Sequence, residues 1–218
     1  MFKSLYVLIR NSISKTKLFW KYRHLFQPQV WRSYKSDQDN LRRLFYSNFI
    51  KTNNLNSIFE FGCASGPNFF SIKKELEDIY FFGYDISIQA IKTVNYNSSN
   101  IKYNFTHKLS PKSLEEFIKK NNIDNFDLAI FDRVLYMIDQ KTTRLIFNIY
   151  SKYFKYIIID DFHSDNPCWD KEKYIFSKNY IDILDDYHFQ IIDIDDSQLP
   201  SSTAKKYAKR LIFVNQKL

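Results

Sequence analysis

The chain of 218 residues has 44% apolar and 26% charged residues, which is typical of a globular protein built as one domain with appendages. Its two cysteines exclude a disulfide framework and a four-cysteine zinc site. The sequence has neither an apolar stretch long enough to span a bilayer nor the apolar run of a signal peptide at its start. We therefore expect a cytoplasmic protein.

The net charge of +8 comes from the N-terminal sixth of the sequence, because residues 1–36 contain eight basic residues and no acid. Apolar residues are interleaved with these bases, which predicts one or two basic amphipathic helices. We interpret residues 1–54 as a basic helical cap on a domain formed by residues 55–218. Further roles stay open for residues 1–36: a lid over a ligand site, a surface that docks on another subunit or peripherally on an anionic membrane, or a nucleic-acid patch.

From residue 37 onward, helical and extended patterns alternate along the chain. Helices are predicted over residues 37–49, 67–76, 87–94, 142–154 and 171–184, with a further helix that ends near Lys120. That helix begins either at Ser110, followed by Pro111, or one turn later at Ser113. Strands are predicted over residues 57–61, 80–84, 101–105, 126–131, 156–160, 189–194 and 211–214.

This alternation predicts an α/β fold with a seven-stranded, mostly parallel Rossmann-like sheet and helices on both faces. The nearly continuous apolar strand at residues 156–160 is typical of a strand that is covered on both sides. In such sheets ligands bind beyond the carboxyl ends of the strands. The residues that follow each strand are therefore the candidates for function.

The first candidate is the segment EFGCASG, residues 60–66, which ends the first strand and opens a helix. It holds two of the three glycines in the chain, and glycine allows the backbone to approach a ligand closely. The second candidate is Asp85, at the end of the second strand. It follows Gly66 at the spacing of about 20 residues that is typical of nucleoside-binding βαβ units. The alternative for both is structural: a tight turn and a helix cap.

These segments resemble the class I S-adenosylmethionine-dependent methyltransferases, whose first motif runs acid-x-Gly-x-Gly-x-Gly. Here the motif reads Glu60, Gly62, Ala64 and Gly66, with alanine in place of the middle glycine. Residues 125–139 and 156–162 are similar to the fourth-strand and fifth-strand segments of the family. The resemblance covers about residues 55–215, and it implies S-adenosylmethionine as the cofactor.

The resemblance also implies a role for each matched residue. Gly62, Ala64 and Gly66 would pass against the methionine part of the cofactor, and Glu60 would orient that loop or the amino group. Asp85 would hold the ribose and Ile86 would flank the adenine. Asp132 would lie near the amino group or the substrate. Trp31 and Tyr34 lie where many small methyltransferases carry aromatic cover for the cofactor.

Two strand ends bear on the reaction. Asp132 is followed by Arg133-Val134-Leu135 and not by the Pro-Pro-aromatic motif in which enzymes acting on exocyclic base amines or on glutamine resemble one another. After the fifth strand, Asp161 and His163 are candidates for the general base that a hydroxyl acceptor benefits from. The alternatives are a polar loop that caps a helix, or a Mg²⁺ site of Asp132, Asp160 and Asp161. We prefer a site without metal.

The sequence thus predicts methyl transfer from S-adenosylmethionine to a small polar acceptor, such as a hydroxyl of a sugar or another metabolite. Two alternatives belong to other classes. The basic residues 1–36 favour an RNA methyltransferase. The same fold also admits a non-catalytic adenosyl-binding interaction protein.

Overall fold

The computed structural model describes residues 41–98, 101–167, 169–170, 175–197 and 207–218, together with Lys21. Of residues 169, 170, 175 and 176 it describes the backbone only. The predicted amphipathic helices of residues 1–36, with Trp31 and Tyr34, lie outside the described residues. Within the described part of the chain, no helix combines the length and apolarity that crossing a bilayer requires.

Seven strands form one sheet: β1 (Ser57–Phe61), β2 (Tyr80–Tyr84), β3 (Tyr103–Thr106), β4 (Phe126–Asp132), β5 (Phe154–Phe162), β8 (Phe189–Asp196) and β9 (Ala208–Asn215). Between β5 and β8 along the chain, β6 (Trp169–Asp170) and β7 (Ile175–Phe176) form a separate pair. The order across the seven-stranded sheet is β3-β2-β1-β4-β5-β9-β8. All neighbouring pairs from β3 to β5 are parallel, and β9 runs antiparallel to both β5 and β8. The predicted seven-stranded, mostly parallel sheet is therefore confirmed.

Helices connect the parallel strands, and side chains fix where several of them begin. Ser87 accepts a hydrogen bond from the Ala90 amide at the start of one helix. Ser110 and Ser113 form a capping box at another, which places its start at Pro111, the earlier of the two predicted positions. The described helices are α1 (Leu41–Thr52), α2 (Pro67–Glu75), α3 (Ile88–Asn97), α4 (Pro111–Asn121), α5 (Gln140–Tyr150) and α6 (Tyr180–Asp185). Two 3-10 turns lie at Leu135–Met137 and Ser151–Tyr153.

The aromatic residues that are abundant in the sequence fill both sides of the sheet. On the side of α4, α5 and α6, the Phe59 ring lies 4.9 Å from that of Phe154 and 6.0 Å from that of Phe82. On the side of α1, α2 and α3, the Phe69 ring lies about 5 Å from those of Phe81 and Phe105. Both faces of the central strands are thus covered, which explains their continuous apolar sequences.

The prediction of a helix over residues 171–184 is wrong. Ile175–Phe176 forms strand β7, which pairs with strand β6 (Trp169–Asp170) in a second, two-stranded sheet. The helix is confined to Tyr180–Asp185, because Asn179 caps its first turn by accepting a hydrogen bond from the Asp182 amide. The predicted helix over residues 142–154 also ends early, since Phe154 already belongs to β5.

Candidate active site

A cavity of about 880 Å³ opens beyond the carboxyl ends of β1, β2 and β4. Its size is that of a small-molecule site. The lining includes six of the seven residues that the sequence predicts to hold the cofactor, namely Glu60, Gly62, Ala64, Asp85, Ile86 and Asp132. Gly66 is not among the lining residues.

The glycine loop after β1 takes a left-handed backbone at every second residue. The φ angle is +80° at Gly62, +48° at Ala64 and +81° at Gly66. The Gly62 and Cys63 amides both donate hydrogen bonds to the Tyr84 carbonyl, at 2.7 and 2.9 Å, and these bonds tie the loop to the end of β2. Ala64 takes this conformation despite its Cβ, at a cost of about 1 kcal/mol.

The two glycines of this loop are required by packing within the protein. A Cβ atom on Gly62 would lie 2.7 Å from Cγ2 of Val134, and one on Gly66 would lie 2.7 Å from Cγ2 of Val94. The structural alternative that the sequence left open for these glycines, a tight turn, is thus present in the fold. Gly66 closes the turn into α2 and contacts α3, whereas Gly62 lies at the cavity against the segment after β4.

Asp85 joins the glycine loop to the start of α3. One carboxylate oxygen accepts a hydrogen bond from the Ala64 amide at 2.9 Å and the other from the Ser87 amide at 2.8 Å. Asp85 therefore stabilises both the glycine loop and the start of α3. A carboxylate has about four lone-pair positions, so Asp85 retains the capacity to accept hydrogen bonds from a ligand, and Ile86 lines the cavity beside it.

The floor of the cavity contains two acids bridged by an amide. The Asn68 side-chain nitrogen donates to Oε1 of Glu60 at 2.8 Å and to Oδ2 of Asp132 at 2.9 Å. Glu60 and Asn68 are each 1% exposed. Among the described residues, the Oε2 atom of Glu60 and the Oδ1 atom of Asn68 have no hydrogen-bond partner. The carboxyl of Glu60 and the amide of Asn68 thus each leave one buried oxygen acceptor for a ligand.

Burial is the main reason that the pKa of Glu60 rises to about 8, and the negative charge of Asp132 adds to this effect. Arg43, which is also buried, opposes it. A ligand ammonium at this position would favour the ionised carboxylate and would satisfy the orphaned oxygens. Sequence reasoning missed Asn68. The feature of the sequence that could have identified Asn68 is its position as a polar residue in the first turn of the helix that follows the glycine loop.

Three arginines lie around the same cavity, none of them predicted. Arg42 and Arg43 come from α1, and Arg42 forms an ion pair with Asp132. Arg133 directly follows β4 and has a left-handed backbone with a φ of +51°. The sequence had indicated α1 only as a helix, and its arginines become significant because α1 packs beside α2, whose first turn lines the cavity.

Part of the cavity wall is apolar. Leu109 lines it ahead of α4, and Met137 and Ile138 line it from the 3-10 turn after β4. Ile149 and Tyr150 of α5 complete this wall. The cavity thus combines a charged floor with an apolar side, an arrangement suited to a ligand that is polar at one end and flat or apolar at the other.

Asp161, predicted as a catalytic base, accepts hydrogen bonds from backbone amides. Its Oδ2 atom accepts hydrogen bonds from the amides of Leu135 at 2.8 Å and Tyr136 at 3.1 Å, and Oδ1 accepts one from the Phe162 amide at 2.7 Å. The Lys178 ammonium donates to the Leu135 carbonyl at 2.6 Å. Asp161 is 2% exposed and lies behind the 3-10 turn, away from the cavity lining.

His163 is also held by structural contacts. Its Nδ1 atom accepts a hydrogen bond from the Tyr180 amide at 3.3 Å, and its Nε2 atom lies 3.4 Å from Asp165. Burial lowers the pKa of the imidazole, which favours the neutral form of the ring. It does not line the cavity. The geometry therefore does not support the assignment of Asp161 and His163 as catalytic residues.

The three acids considered for Mg²⁺ do not converge. Asp132 pairs with Arg42, whereas Asp160 pairs with Arg210 at 3.1 Å and accepts a hydrogen bond from Ser197. Asp161 is engaged by backbone amides, as described above. Within the described ranges, no group of three or more His, Cys, Asp or Glu residues is arranged to hold a metal ion.

The architecture is the class I S-adenosylmethionine-dependent methyltransferase fold. Magnesium protoporphyrin IX methyltransferase from Synechocystis PCC 6803, solved with bound S-adenosylmethionine, has a TM-score of 0.65 at 13% identity over 93% of this chain and 97% of that chain. The plantazolicin methyltransferase BpumL, solved with S-adenosylhomocysteine, has a TM-score of 0.57 at 16% identity over 99% of this chain and 100% of that chain.

The N-methyltransferase NodS from Bradyrhizobium japonicum WM9 has a TM-score of 0.57 at 15% identity over 81% of this chain and 98% of that chain. No protein-family model matches the sequence, and no curated protein is significantly similar to it. At these low identities the structural likeness establishes the fold of the chain, and function has to be argued from the site.

Proposed function

We propose that this chain binds S-adenosylmethionine in the cavity and transfers its methyl group to a small polar acceptor. The observation that carries the proposal is the buried Glu60–Asn68–Asp132 floor, with orphaned oxygens, next to Asp85 at the neighbouring strand end. The methyltransferases of the same fold described above include structures with S-adenosylmethionine or S-adenosylhomocysteine bound.

The residues at the cavity fit the parts of this cofactor. Glu60 and Asn68 would take the α-ammonium, and the nearby Arg43 supplies a cation for the α-carboxylate of the same amino-acid end. Asp85 would take the ribose hydroxyls. Ile86 and Leu109 supply apolar surface for the adenine ring.

When bound, the cofactor supplies a methyl group made electrophilic by the positive sulfonium. The work of the chain is to hold two reactants in line, which is worth several kcal/mol when the geometry is right. The 3-10 turn of Leu135–Met137 forms a wall of the cavity, and Asp161 and Lys178 fix that turn from behind. A hydroxyl of a sugar or another small metabolite is the acceptor that we propose.

Calorimetry with the full-length protein tests the cofactor assignment. We expect micromolar binding of S-adenosylhomocysteine, lost in Asp85→Ala. The matched control Asp78→Ala removes an exposed acid that pairs with Lys102 and should leave the affinity unchanged. Absence of binding to the wild-type protein would exclude the proposed function. Binding without turnover on any acceptor would instead favour a non-catalytic adenosyl-binding protein.

The basic residues 1–36 support a second candidate, methyl transfer to RNA. A chain without these residues should then lose RNA methylation and RNA affinity, both of which should fall steeply with added salt in the full-length protein. Loss of affinity for anionic vesicles in the truncated chain, with RNA binding unaffected, would favour peripheral docking on a membrane.

A further inference from the structure

Arg133 is a cavity residue without a partner among the described side chains. It forms no hydrogen bond or ion pair with them, and its Nη2 atom is buried. Its left-handed backbone costs about 1 kcal/mol in a residue with a side chain. Non-glycine residues in this conformation cluster at ligand and active sites, where surrounding structure maintains the strain.

The charges around Arg133 leave its own charge uncompensated. The two carboxylates that act on it are Asp132 and Asp160. Asp132 already pairs with Arg42, and Asp160 already pairs with Arg210. The neighbouring Tyr46 is neutral, because burial raises the pKa of its phenol. Three guanidinium groups therefore share two carboxylates in this described cluster, and Arg133 is the one without an ion pair.

The local environment also disfavours a charge at Arg133 unless an anion joins it. Burial lowers the pKa of the Arg133 guanidinium, and the positive charge of Arg42 lowers it further. Guanidinium groups stay protonated in proteins. The unfavourable surroundings therefore do not neutralise Arg133, and an anionic ligand at this point would relieve both effects.

The position of Arg133 assigns it to the acceptor side of the cavity. The strand order β2-β1-β4 places Asp85 at one end of the cavity, Glu60 in the middle and Arg133 at the other end. The adenosine and methionine parts of the cofactor would use the first two positions under the proposed function. What remains beyond β4 is room for the molecule that is methylated.

We propose that Arg133 binds an anionic oxygen group of the methyl acceptor, either a carboxylate or a phosphate. The guanidinium matches such groups with two parallel hydrogen bonds. The apolar Met137 and Ile138 line the cavity along the same segment and would contact the rest of a small acceptor. The inference rests on the proposed function, because it reserves the β1 and β2 ends for the cofactor.

Fluorine NMR on the full-length protein saturated with S-adenosylhomocysteine tests the proposal. The probes are 4-fluorobenzoate and 4-fluorophenyl phosphate, with 4-fluorobenzamide and 4-fluorophenol as their neutral matches. We expect at least one anion to bind at least about tenfold more tightly than its neutral match, as charged hydrogen bonds allow. Which anion binds distinguishes a carboxylate acceptor from a phosphate acceptor. Equal binding of both acids and their neutral matches, or no anion binding, would overturn the proposal.

The variants separate this recognition from the fold and from the cofactor site. Arg133→Gln should bind the anion as weakly as its neutral match, and Arg133→Lys should recover part of the affinity. Arg144→Gln removes an exposed guanidinium that pairs with Asp186 outside the cavity and should change nothing. Wild-type affinity for the anion in Arg133→Gln would refute the assignment.

Calorimetry on the same samples keeps the two proposals apart. Arg133→Gln should bind S-adenosylhomocysteine as the wild-type protein does. If the wild-type protein binds no S-adenosylhomocysteine, the proposed function fails, and the anion titrations without it still test Arg133 as an anion site.

Discussion

Cofactor binding should release a proton from Glu60, and the substitution Glu60→Gln should abolish that release. The Glu60 carboxyl is buried beside Asn68, which bridges it to Asp132, and its pKa rises to about 8 mainly because of burial. A bound α-ammonium would favour the carboxylate over the carboxylic acid. The complex would therefore hold Glu60 ionised at a pH at which the free protein keeps it protonated.

The pKa sets the size of this effect. At about pH 7, a carboxyl with a pKa of about 8 is roughly nine-tenths protonated. Binding should then release nearly one proton per cofactor. Between about pH 6 and pH 7 the affinity should rise almost tenfold, which corresponds to about 1.4 kcal/mol. Glu60→Gln should bind more weakly than the wild-type protein above about pH 7, without this pH dependence.

Calorimetry of S-adenosylhomocysteine binding in buffers with different ionisation enthalpies measures the proton release directly. The matched control is Asp85→Asn, in which the ribose contact is altered but the release should persist. Equal pH dependence in the wild-type protein and in Glu60→Gln would refute the reasoning. It would mean either that the free protein already holds Glu60 ionised or that the ammonium binds elsewhere.

The same group contributes to the pH dependence of folding in the protein without cofactor. The pKa of Glu60 is higher in the folded chain, at about 8, than its ordinary value of 4.5. The folded state therefore binds the proton more tightly, and stability falls as the pH rises from about 4.5 through about 8. Thermal unfolding should show this loss in the wild-type protein, less of it in Glu60→Gln, and partial recovery when the cofactor is added.

Three further substitutions test the loop and the turn that frame the cavity. Ala64→Gly should stabilise the chain by about 1 kcal/mol in urea unfolding, since it removes left-handed strain; an unchanged midpoint would contradict this. Gly62→Ala should destabilise it by more than about 1–2 kcal/mol, and Val134→Ala in the same chain should restore only the part due to the clash. Asp161→Asn should cost about 1–3 kcal/mol in the same unfolding measurement, because an amide nitrogen in place of one carboxylate oxygen cannot accept the hydrogen bonds of the buried backbone amides, and an unchanged midpoint would contradict this role.

The presence of three of the predicted residues at the cavity could be foreseen from the sequence because it depends on position along a strand. Glu60, Asp85 and Asp132 each end or follow a parallel strand, and parallel strands that lie side by side bring their carboxyl ends to the same edge. The structure places all three at the cavity. No knowledge of distant contacts is needed for such residues, since the sheet brings them together.

Position at the end of a strand did not predict the contacts of Asp161 and His163. Successive residues of a strand point to opposite faces, so the pair Asp160–Asp161 had to send its carboxylates in different directions. Which contacts each carboxylate makes depends on residues that are distant in the sequence. Arg210 of β9 forms an ion pair with Asp160, and backbone amides of the turn after β4 donate hydrogen bonds to Asp161. Neither partner could be recognised from the local sequence.

The order of the strands explains why Asp85 and Arg133 lie at opposite ends of the cavity. The chain builds β1 and β2 first, and the acids that end or follow them suit a cationic cofactor, with Glu60 in the middle of the cavity and Asp85 at one end. It then crosses back to place β4 on the other side of β1, which brings Arg133 to the far end. An acceptor anion there and a sulfonium between the two ends would attract one another in a region partly shielded from water, where such attraction is stronger than in solution. Under these proposals, the anion at Arg133 therefore helps both to select the acceptor and to draw it toward the methyl group.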